Sequence, residues 1–221
     1  MALDFPANPT NGQTFGQYIY DTSIPGWRNV NSSEGIGLQF KSGLIPITPS
    51  SVTVSSGSAT VGPTGAVTLT AVGTFYVNGI YTAEYDRYLV TIDMSSGPSG
   101  YMYMRHATNG AQNTSGVSYG SLGLLQGGTS GLFVYNNAVA HIDIGYAYSG
   151  EASQFEFTVI NPYRNDRNTD TLIRSTHARG SHTTLWGSSV HADNTRFDGI
   201  YIYTSGSSPL YATMRVYGFR N

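Results

Sequence analysis

Four groups of residues in this sequence have types and spacings that could support chemistry. The first is Gly116-Val-Ser-Tyr-Gly120, which matches the Gly-x-Ser-x-Gly pattern of serine nucleophiles in acyl transfer. That chemistry needs a strand before the serine, a helix after it, and N–H groups that stabilise an oxyanion. Here a polar segment precedes the motif, Ser121-Leu-Gly-Leu-Leu125 follows it, and the chain has 27 glycines. We therefore interpret the match as chance and predict no catalytic serine.

The second group consists of histidines that could hold a metal. One cluster within a single window comprises His177, His182, His191 and Asp193. In addition, His141 lies two residues before Asp143, on one face of a predicted strand. A threefold axis could multiply either grouping, but the spacings match no established ligand pattern. We expect hydrogen-bonding roles for these imidazoles, with no bound metal and no cofactor.

The third group consists of carboxylates that could cleave a glycosidic bond. Such a reaction needs two acids that face each other across a groove. We predict Glu151 at a turn, Glu156 on a strand surface, and Glu84 and Asp86 in a single helical turn over residues 82–87. None of these positions predicts a facing pair. An enzyme is therefore the least favoured interpretation of the sequence.

The 17 tyrosines carry more information about binding. A tyrosine ring stacks on a sugar ring and adds a hydroxyl at a small cost in conformational entropy. We expect most of the tyrosines in the core or at a subunit interface. The binding candidates, which we predict in loops at the ends of the fold, are Tyr163, Arg164, Arg167 and Trp186.

The composition predicts an all-β protein. Only 11% of residues are charged, whereas about 25% is usual in soluble domains, and glycine, tyrosine and small polar residues replace them. A net charge of −2 offers no electrostatic footprint for nucleic acid. The sequence contains no run of 18 apolar residues, so it predicts no membrane-spanning segment. The first residues also lack the pattern of a secretory signal. The chain has no cysteine, so its stability cannot depend on disulfides.

Period-2 alternation predicts short strands from residue 51 to the end of the chain. In one of them Ile142, Ile144, Tyr146 and Tyr148 alternate, so we expect these four side chains on one face. Residues 107–120 are predicted as a loop or a poorly paired edge. Because the strands are separated by glycine-rich turns, we expect an antiparallel β-sandwich, jelly-roll-like in topology. We expect the apolar face at Phe155, Phe157 and Val159 to be buried within or between subunits.

The N-terminal segment has a different character. Pro6 and Pro9 favour an extended arm, Asn11-Gly12 favours a turn, and aromatic residues up to Trp27 predict a small ribbon. Pro46 and Pro49 predict an extended connector. We therefore predict an N-terminal arm at residues 1–45, a linker at 46–58 and a β-sandwich at 59–221.

Both ends of the chain resemble a known class of virion protein. Leu3-Asp-Phe-Pro6, Pro9-Thr-Asn-Gly-Gln-Thr-Phe15, Tyr18-Ile-Tyr-Asp21 and Trp27 are similar to the N-terminal segment of tailed-bacteriophage appendage proteins, the tail-fibre and head-fibre subunits. The ending, from Tyr211 to Asn221, is similar to their closing strand. The resemblance implies a virion location and attachment to other virion proteins. The attachment residues that it implies are Leu3, Phe5, Pro6, Pro9, Phe15 and Trp27.

The sequence thus favours a non-enzymatic bacteriophage structural protein, a homotrimeric fibre-like appendage. Its N-terminus would attach to the tail or capsid, and its sandwich would contact the host surface, including a host glycan, through Tyr163, Arg164, Arg167 and Trp186. Two alternatives stay open. One is a capsid decoration or head-fibre protein, and the other is a free carbohydrate-binding module or lectin, which would not need residues 1–45.

Overall fold

Strands occupy most of the described chain, and no described residue is helical. The computed structural model describes residues 6, 8–15, 18–22, 26–29, 43–97, 99–114, 119–126, 131–177, 183–192, 194–206 and 209–219. For residues 21, 26–29, 119–126, 131–139, 177 and 183–185 it describes the backbone alone. Within this part of the chain, no helix could span a membrane.

The described strands are β1 (Thr14–Phe15), β2 (Tyr18–Asp21), β3 (Gly26–Asn29), β4 (Leu44–Pro46), β5 (Ser51–Val54), β6 (Ser58–Val61), β7 (Val67–Val72), β8 (Phe75–Asn78), β9 (Arg87–Ser96), β10 (Gly100–Thr108), β11 (Ala111–Gln112), β12 (Tyr119–Gln126), β13 (Gly131–Val139), β14 (Ile142–Ala147), β15 (Ser153–Ile160), β16 (Thr169–His177), β17 (Thr183–His191), β18 (Gly199–Thr204) and β19 (Leu210–Phe219).

The chain divides into two compact units, and the first, Met1–Ser42, contains a three-stranded sheet. Its strands run in the order β1-β2-β3, and all pairs are antiparallel. Gly12 has a φ of +79° and donates its N–H to the Tyr20 carbonyl oxygen at 2.9 Å, which closes the predicted turn at Asn11-Gly12. Tyr20 pairs in register with Trp27. The predicted aromatic ribbon is therefore confirmed as a small antiparallel sheet.

The second unit, Gly43–Asn221, is built from two larger sheets. The ten-stranded sheet has the order β13-β12-β17-β16-β15-β9-β19-β7-β6, and β4 also pairs with β19. The six-stranded sheet has the order β11-β10-β18-β8-β5, and β14 also pairs with β10. The described pairings in both sheets are antiparallel.

One hydrophobic core draws on both sheets. From the ten-stranded sheet it includes Tyr88, Val90, Ile92, Phe155, Phe157 and Val159, and from the six-stranded sheet Phe75, Val77, Met102, Met104, Ile200 and Ile202. These residues follow each other at every second position, so a slip of one residue in register would expose a whole row of them. The predicted all-β antiparallel sandwich is confirmed, and the face at Phe155, Phe157 and Val159 is buried within the subunit.

The segment predicted as a linker, residues 46–58, contributes to the sandwich. Ser51–Val54 forms β5 and pairs with β8, and Pro46 ends β4, which pairs with β19. Between these strands, Pro49 is buried and Ile47 donates its N–H to the Val216 carbonyl oxygen at 2.8 Å. The division between compact units falls between residues 42 and 43. Pro46 therefore stands in an edge strand, where a missing N–H is tolerated, and Pro49 is buried between two strands, so neither proline lies in a free connector.

One local expectation needs correction. Residues 82–86 form a turn and not a helical turn, and Arg87 begins β9. The Tyr88 hydroxyl accepts the Thr82 N–H at 2.7 Å and donates to the Thr82 carbonyl oxygen at 2.8 Å, which holds this turn. The segment 107–120 includes a poorly paired edge, one of the two predicted alternatives, because Ala111–Gln112 forms the two-residue strand β11 at the edge of the six-stranded sheet.

Candidate functional site

The strands of the six-stranded sheet alternate between apolar and aromatic residues. In β10, Met102 and Met104 are fully buried in the core, whereas Tyr101 and Tyr103 lie on the other side of the strand and keep part of their surface exposed. The same alternation in β8 and β18 and a bulge in β14 bring further tyrosines to this side. The resulting surface, here called the tyrosine face, comprises Tyr76, Tyr101, Tyr103, Tyr146, Tyr201 and Tyr203.

The six rings form a continuous series across four adjacent strands. Neighbouring ring centroids are 4.4 to 6.2 Å apart in the order Tyr76, Tyr201, Tyr203, Tyr103, Tyr101 and Tyr146. Such separations are typical of favourable aromatic pairs. Strand register produces them, since Tyr76 pairs with Tyr201 and Tyr103 with Tyr203. The rings bury one another laterally, and Tyr101 remains 42% exposed.

A β-bulge places Asp143 and Tyr146 on the tyrosine face together. The register between β10 and β14 shifts along the pair, so that Tyr103 pairs with Asp143 and Tyr101 with Tyr146. Strict alternation, which the sequence suggests, would place Ile144 and Tyr146 on one face. In the structure Ile144 is in the core and Tyr146 is half-buried on the opposite face. The bulge is the physical reason for this correction, because an extra residue reverses the alternation of the strand that contains it.

Arg105 continues the outer face of β10 beyond the tyrosines. Its Nε donates to the Ala140 carbonyl oxygen, and its Nη1 donates to Gln112 Oε1. Its guanidinium carbon lies 4.9 Å from the centroid of the Tyr203 ring. Two directional hydrogen bonds and a stacked ring hold the planar guanidinium in one orientation. Arg105 is therefore a preorganised cation beside the aromatic series.

His141 and Asp143 are the titratable neighbours of this cation. His141 Nε2 lies 3.6 Å from Asp143 Oδ1, so the two residues do lie together as the sequence suggested. Burial raises the pKa of Asp143 to about 6. Burial lowers the pKa of His141, and the Arg105 charge lowers it further. At neutral pH the site therefore combines a carboxylate, a guanidinium and a neutral imidazole.

This arrangement is suited to binding. Rigid rings provide flat apolar surfaces, and Arg105, Gln112 and Asp143 provide hydrogen-bond donors and acceptors at one end of the series. Burial raises the pKa of Tyr203, so its hydroxyl stays protonated at neutral pH and can donate. We refer to Arg105, Gln112, His141 and Asp143 as the polar cluster. No group of three or more metal-ligating side chains was found in the described residues.

The predicted loop candidates lie elsewhere. Tyr163, Arg164 and Arg167 are in the loop between β15 and β16, as expected. Arg164 is paired with Asp86 at 2.9 Å, and Arg167 with Asp166 at 3.3 Å. Both pairs are substantially exposed, so they contribute little stability.

Tyr163 and Trp186 differ from each other in their surroundings. Tyr163 is half-buried against the core, and the Arg196 guanidinium lies 4.7 Å from its ring centroid. Trp186 is not in a loop. It lies within β17, pairs in register with Arg174 of β16, and is 59% exposed on the outer face of the ten-stranded sheet. Trp186 is therefore not part of the loop between β15 and β16 that contains Tyr163, Arg164 and Arg167.

The predicted attachment residues are described in part. Pro6 and Pro9 are half-buried, and Phe15, in β1, is 36% exposed. Trp27 lies in β3, but its side chain is outside the described atoms. Leu3 and Phe5 lie outside the described residues. Their role in attachment stays a prediction.

The serine motif and the remaining histidines have specific positions too. Residues 119–126 after Ser118 form strand β12, whereas a nucleophile elbow needs a helix there. His191 is fully buried in the sandwich with His106, and their ring centroids are 5.9 Å apart. Phe197 stacks on His106 at 4.8 Å. His182 and Asp193 of the predicted window lie outside the described residues, as does the side chain of His177.

The sequence contained a signal for the tyrosine face that loop-based reasoning missed. Tyr101-Met-Tyr-Met-Arg105 and Tyr201-Ile-Tyr203 each place aromatic residues at every second position. That pattern predicts two aromatic rows on strands. It does not predict that β10 and β18 are neighbours, and only their pairing joins the rows into one surface.

Comparisons with known proteins add little to this description. No protein-family model matches the sequence, and no curated protein is significantly similar to it. A solved PL-14 alginate lyase from Aplysia kurodai is similar at 11% identity and a TM-score of 0.30, covering 80% of each chain. A protein of unknown function from Shewanella oneidensis MR-1 is similar at 8% identity and a TM-score of 0.27, covering 79% of this chain and 78% of the other. These low scores carry no argument about function.

Proposed function

We propose that this chain is a bacteriophage virion appendage protein whose sandwich binds a glycan of the host surface through the tyrosine face. The observation that carries the binding role is the series of six tyrosine rings beside the polar cluster. Aromatic rings fit the apolar faces of sugars, and neighbouring polar groups fit their hydroxyls. The proposed role is binding without turnover.

The organisation of the chain supports attachment through its N-terminus. Met1–Ser42 is a compact unit with its own sheet, distinct from the sandwich at Gly43–Asn221. Phe15 keeps 36% of its surface exposed in that small sheet, where a partner could cover it. We propose that this unit contacts other virion proteins of the tail or capsid. A free carbohydrate-binding module would use the same tyrosine face but would not need such a unit.

Assembly into a homotrimer is part of the proposal. Leu172 and Val190 are 50% and 41% exposed, and strand register places them on one face of β16 and β17. Clustered exposed apolar side chains favour association. A chain with 11% charged residues also has few charges to cover such a surface. Light scattering of the intact protein should give three times the 23.7 kDa chain mass, and a stable monomer at micromolar concentration would contradict the trimer.

The virion role is tested by locating the protein in intact particles. Antibodies raised against the full chain should label an appendage of purified phage particles in electron micrographs. The same antibodies should reduce adsorption of the particles to host cells. Absence of the chain from purified particles would overturn the virion role, and labelling without any effect on adsorption would overturn the host-contact role.

A further inference from the structure

The centre of the tyrosine face combines an aromatic platform with an unusual carboxylate. Tyr103 and Tyr203 are paired in register with ring centroids 5.1 Å apart, and Asp143 pairs with Tyr103 on its other side. The His141 ring lies 4.2 Å from that of Tyr103. Four adjacent side chains therefore converge from β10, β18, β14 and the residue just before β14.

Asp143 differs in its pairing from three other described aspartates. Asp86, Asp93 and Asp166 each contact an arginine, at 2.9, 3.2 and 3.3 Å. Among the described residues, Asp143 has no arginine or lysine partner, and its Oδ1 accepts no hydrogen bond although it is buried. The side chain as a whole keeps 21% of its surface exposed. Because Oδ1 is buried, a ligand can reach only the part of the Asp143 side chain that stays exposed. No described residue donates a hydrogen bond to that part, so a ligand hydroxyl can donate one there.

Arg105 does not donate such a hydrogen bond. Its Nε donates to the Ala140 carbonyl oxygen, its Nη1 donates to Gln112 Oε1, and its guanidinium carbon lies over the Tyr203 ring. The Arg105 charge is nevertheless close enough to the cluster to lower the pKa of His141. The cluster thus carries one positive and one negative fixed charge, and neutral His141 adds none. A ligand needs no net charge to match it.

We propose that Tyr103, Tyr203 and Asp143 form a subsite for one residue of a neutral saccharide, an inference that rests on the proposed glycan-binding function. The exposed parts of the rings contact the apolar face of the sugar, and the exposed part of the Asp143 carboxylate accepts a hydrogen bond from a sugar hydroxyl. Hydrogen bonds to a charged acceptor are the stronger kind. A uronate would instead bring a second carboxylate against Asp143, which is unfavourable.

Binding of defined oligosaccharides to the full-length protein tests the subsite. The panel contains neutral glucan, galactan and mannan hexamers and, for comparison, polygalacturonate hexamers, with affinities measured by titration calorimetry. We expect at least one neutral hexamer to bind and the uronate hexamer to bind more weakly. Asp143→Ala should weaken binding of the neutral hexamer by about tenfold or more, and Asp143→Asn, which keeps one acceptor, by less.

Controls separate this inference from the function on which it rests. Asp93→Asn changes a carboxylate of the ten-stranded sheet that is paired with Arg215, so it should leave affinity unchanged. Near-ultraviolet circular dichroism shows whether each variant keeps its tertiary structure. Loss of binding with Tyr203→Ala but full binding with Asp143→Ala would leave glycan binding intact and overturn the subsite. Equal or tighter binding of the uronate hexamer would overturn the neutral class, and no binding to any hexamer would contradict the proposed glycan-binding function itself.

Discussion

Tyr103 and Tyr203 lie directly opposite each other in the register of β10 and β18, with their ring centroids 5.1 Å apart. The residues that fix this register are on the other side of the strands, where Met104 and Ile202 also pair and are fully buried. A slip of one residue would turn these apolar side chains away from the core. Core packing thus determines which outer side chains meet, and the tyrosine face is a consequence of the core.

The first prediction compares the tyrosine face with Trp186 and Arg167, two residues that the sequence predicts to contact the host. Tyr203→Ala should weaken adsorption to host cells by about 30-fold, the effect of losing a contact worth about 2 kcal/mol. Trp186→Ala should hardly change the melting temperature, because the side chain is 59% exposed. Arg167→Ala should behave similarly, since its pair with Asp166 is exposed.

Adsorption assays and thermal melts of the three variants, made in the same virion background, check this prediction. Host contact by Trp186 and Arg167 also stays a prediction. If Trp186→Ala or Arg167→Ala abolishes adsorption while Tyr203→Ala does not, the ten-stranded sheet and its loops contact the host and the tyrosine face does not. A large drop in melting temperature for Trp186→Ala would show that packing, and not recognition, explains that residue.

The sequence predicted the sandwich because burial imposes a period that can be counted. Val90 and Ile92 in β9, and Phe155 and Phe157 in β15, alternate as a half-buried strand requires, and all four are buried. Alternation within a strand is local information. It shows which side chains share a face, and it does so for Tyr101 and Tyr103 as well.

The candidate site was predicted less well, for two physical reasons. Strand order is non-local, so β18 could not be assigned next to β10 from residues nearly a hundred positions away. The bulge in β14 also reverses the alternation, which put Tyr146 on the face opposite to the one expected. The predicted linker at residues 46–58 was also wrong. Proline is typical of connectors, but Pro49 is buried in this sandwich.

The second prediction concerns the buried histidine in the sandwich. Burial lowers the pKa of His106 to about 3, and the nearby His191 adds to the decrease. Since this folded-state pKa is below the unfolded value of about 6.5, the neutral form is favoured by folding, and its contribution to stability is complete above pH 6.5. That contribution falls by about 1.4 kcal/mol for each pH unit between 6.5 and 3.

Titration of Asp143 opposes the loss of stability that His106 causes as the pH falls, over part of the pH range. Its folded pKa is raised to about 6, so between pH 6 and about 4 the folded protein takes up its proton first and gains stability as the pH falls. Urea unfolding of the wild type and of His106→Leu at several pH values separates the two effects. The unfolding free energy of the wild type minus that of His106→Leu should decrease as the pH falls below 6.5. If that quantity is constant from pH 7 to pH 4, the lowered pKa of His106 is contradicted.

The third prediction concerns the glycine at the bulge. Gly145 has a φ of +142°, and a Cβ at this position would lie 2.4 Å from Ser175 Oγ and 2.9 Å from Phe155 Cε1. Gly145→Ala should therefore lower the unfolding free energy by about 3 kcal/mol, from backbone strain and the clash together. Gly62→Ala is the control, because its nearest neighbour would be the Ala66 carbonyl oxygen at an ordinary 3.6 Å. Equal urea midpoints for the two variants would show that β14 can move away from β16.

The last prediction concerns where the sandwich begins. Removal of residues 1–42 takes away one compact unit and leaves every described strand from β4 onwards. The melting temperature of the sandwich should then change by less than about 3 °C, the shift that about 1 kcal/mol produces in a domain of this size. Particles should nevertheless fail to incorporate the shortened protein if the N-terminal unit is the attachment site.

Removal of residues 1–58 is the matched variant, because it takes away β4 and β5 as well. β4 pairs with β19 through Tyr217, Gly218 and Phe219, and β5 pairs with β8 along all four of its residues. Loss of these pairings, and of the half-buried Ile47 and Val52 that pack on the core, should lower the melting temperature well beyond the effect of the shorter deletion. Equal melting temperatures for the two deletions would show that residues 43–58 are a connector after all. Unfolding of both would show that the N-terminal unit is required by the sandwich.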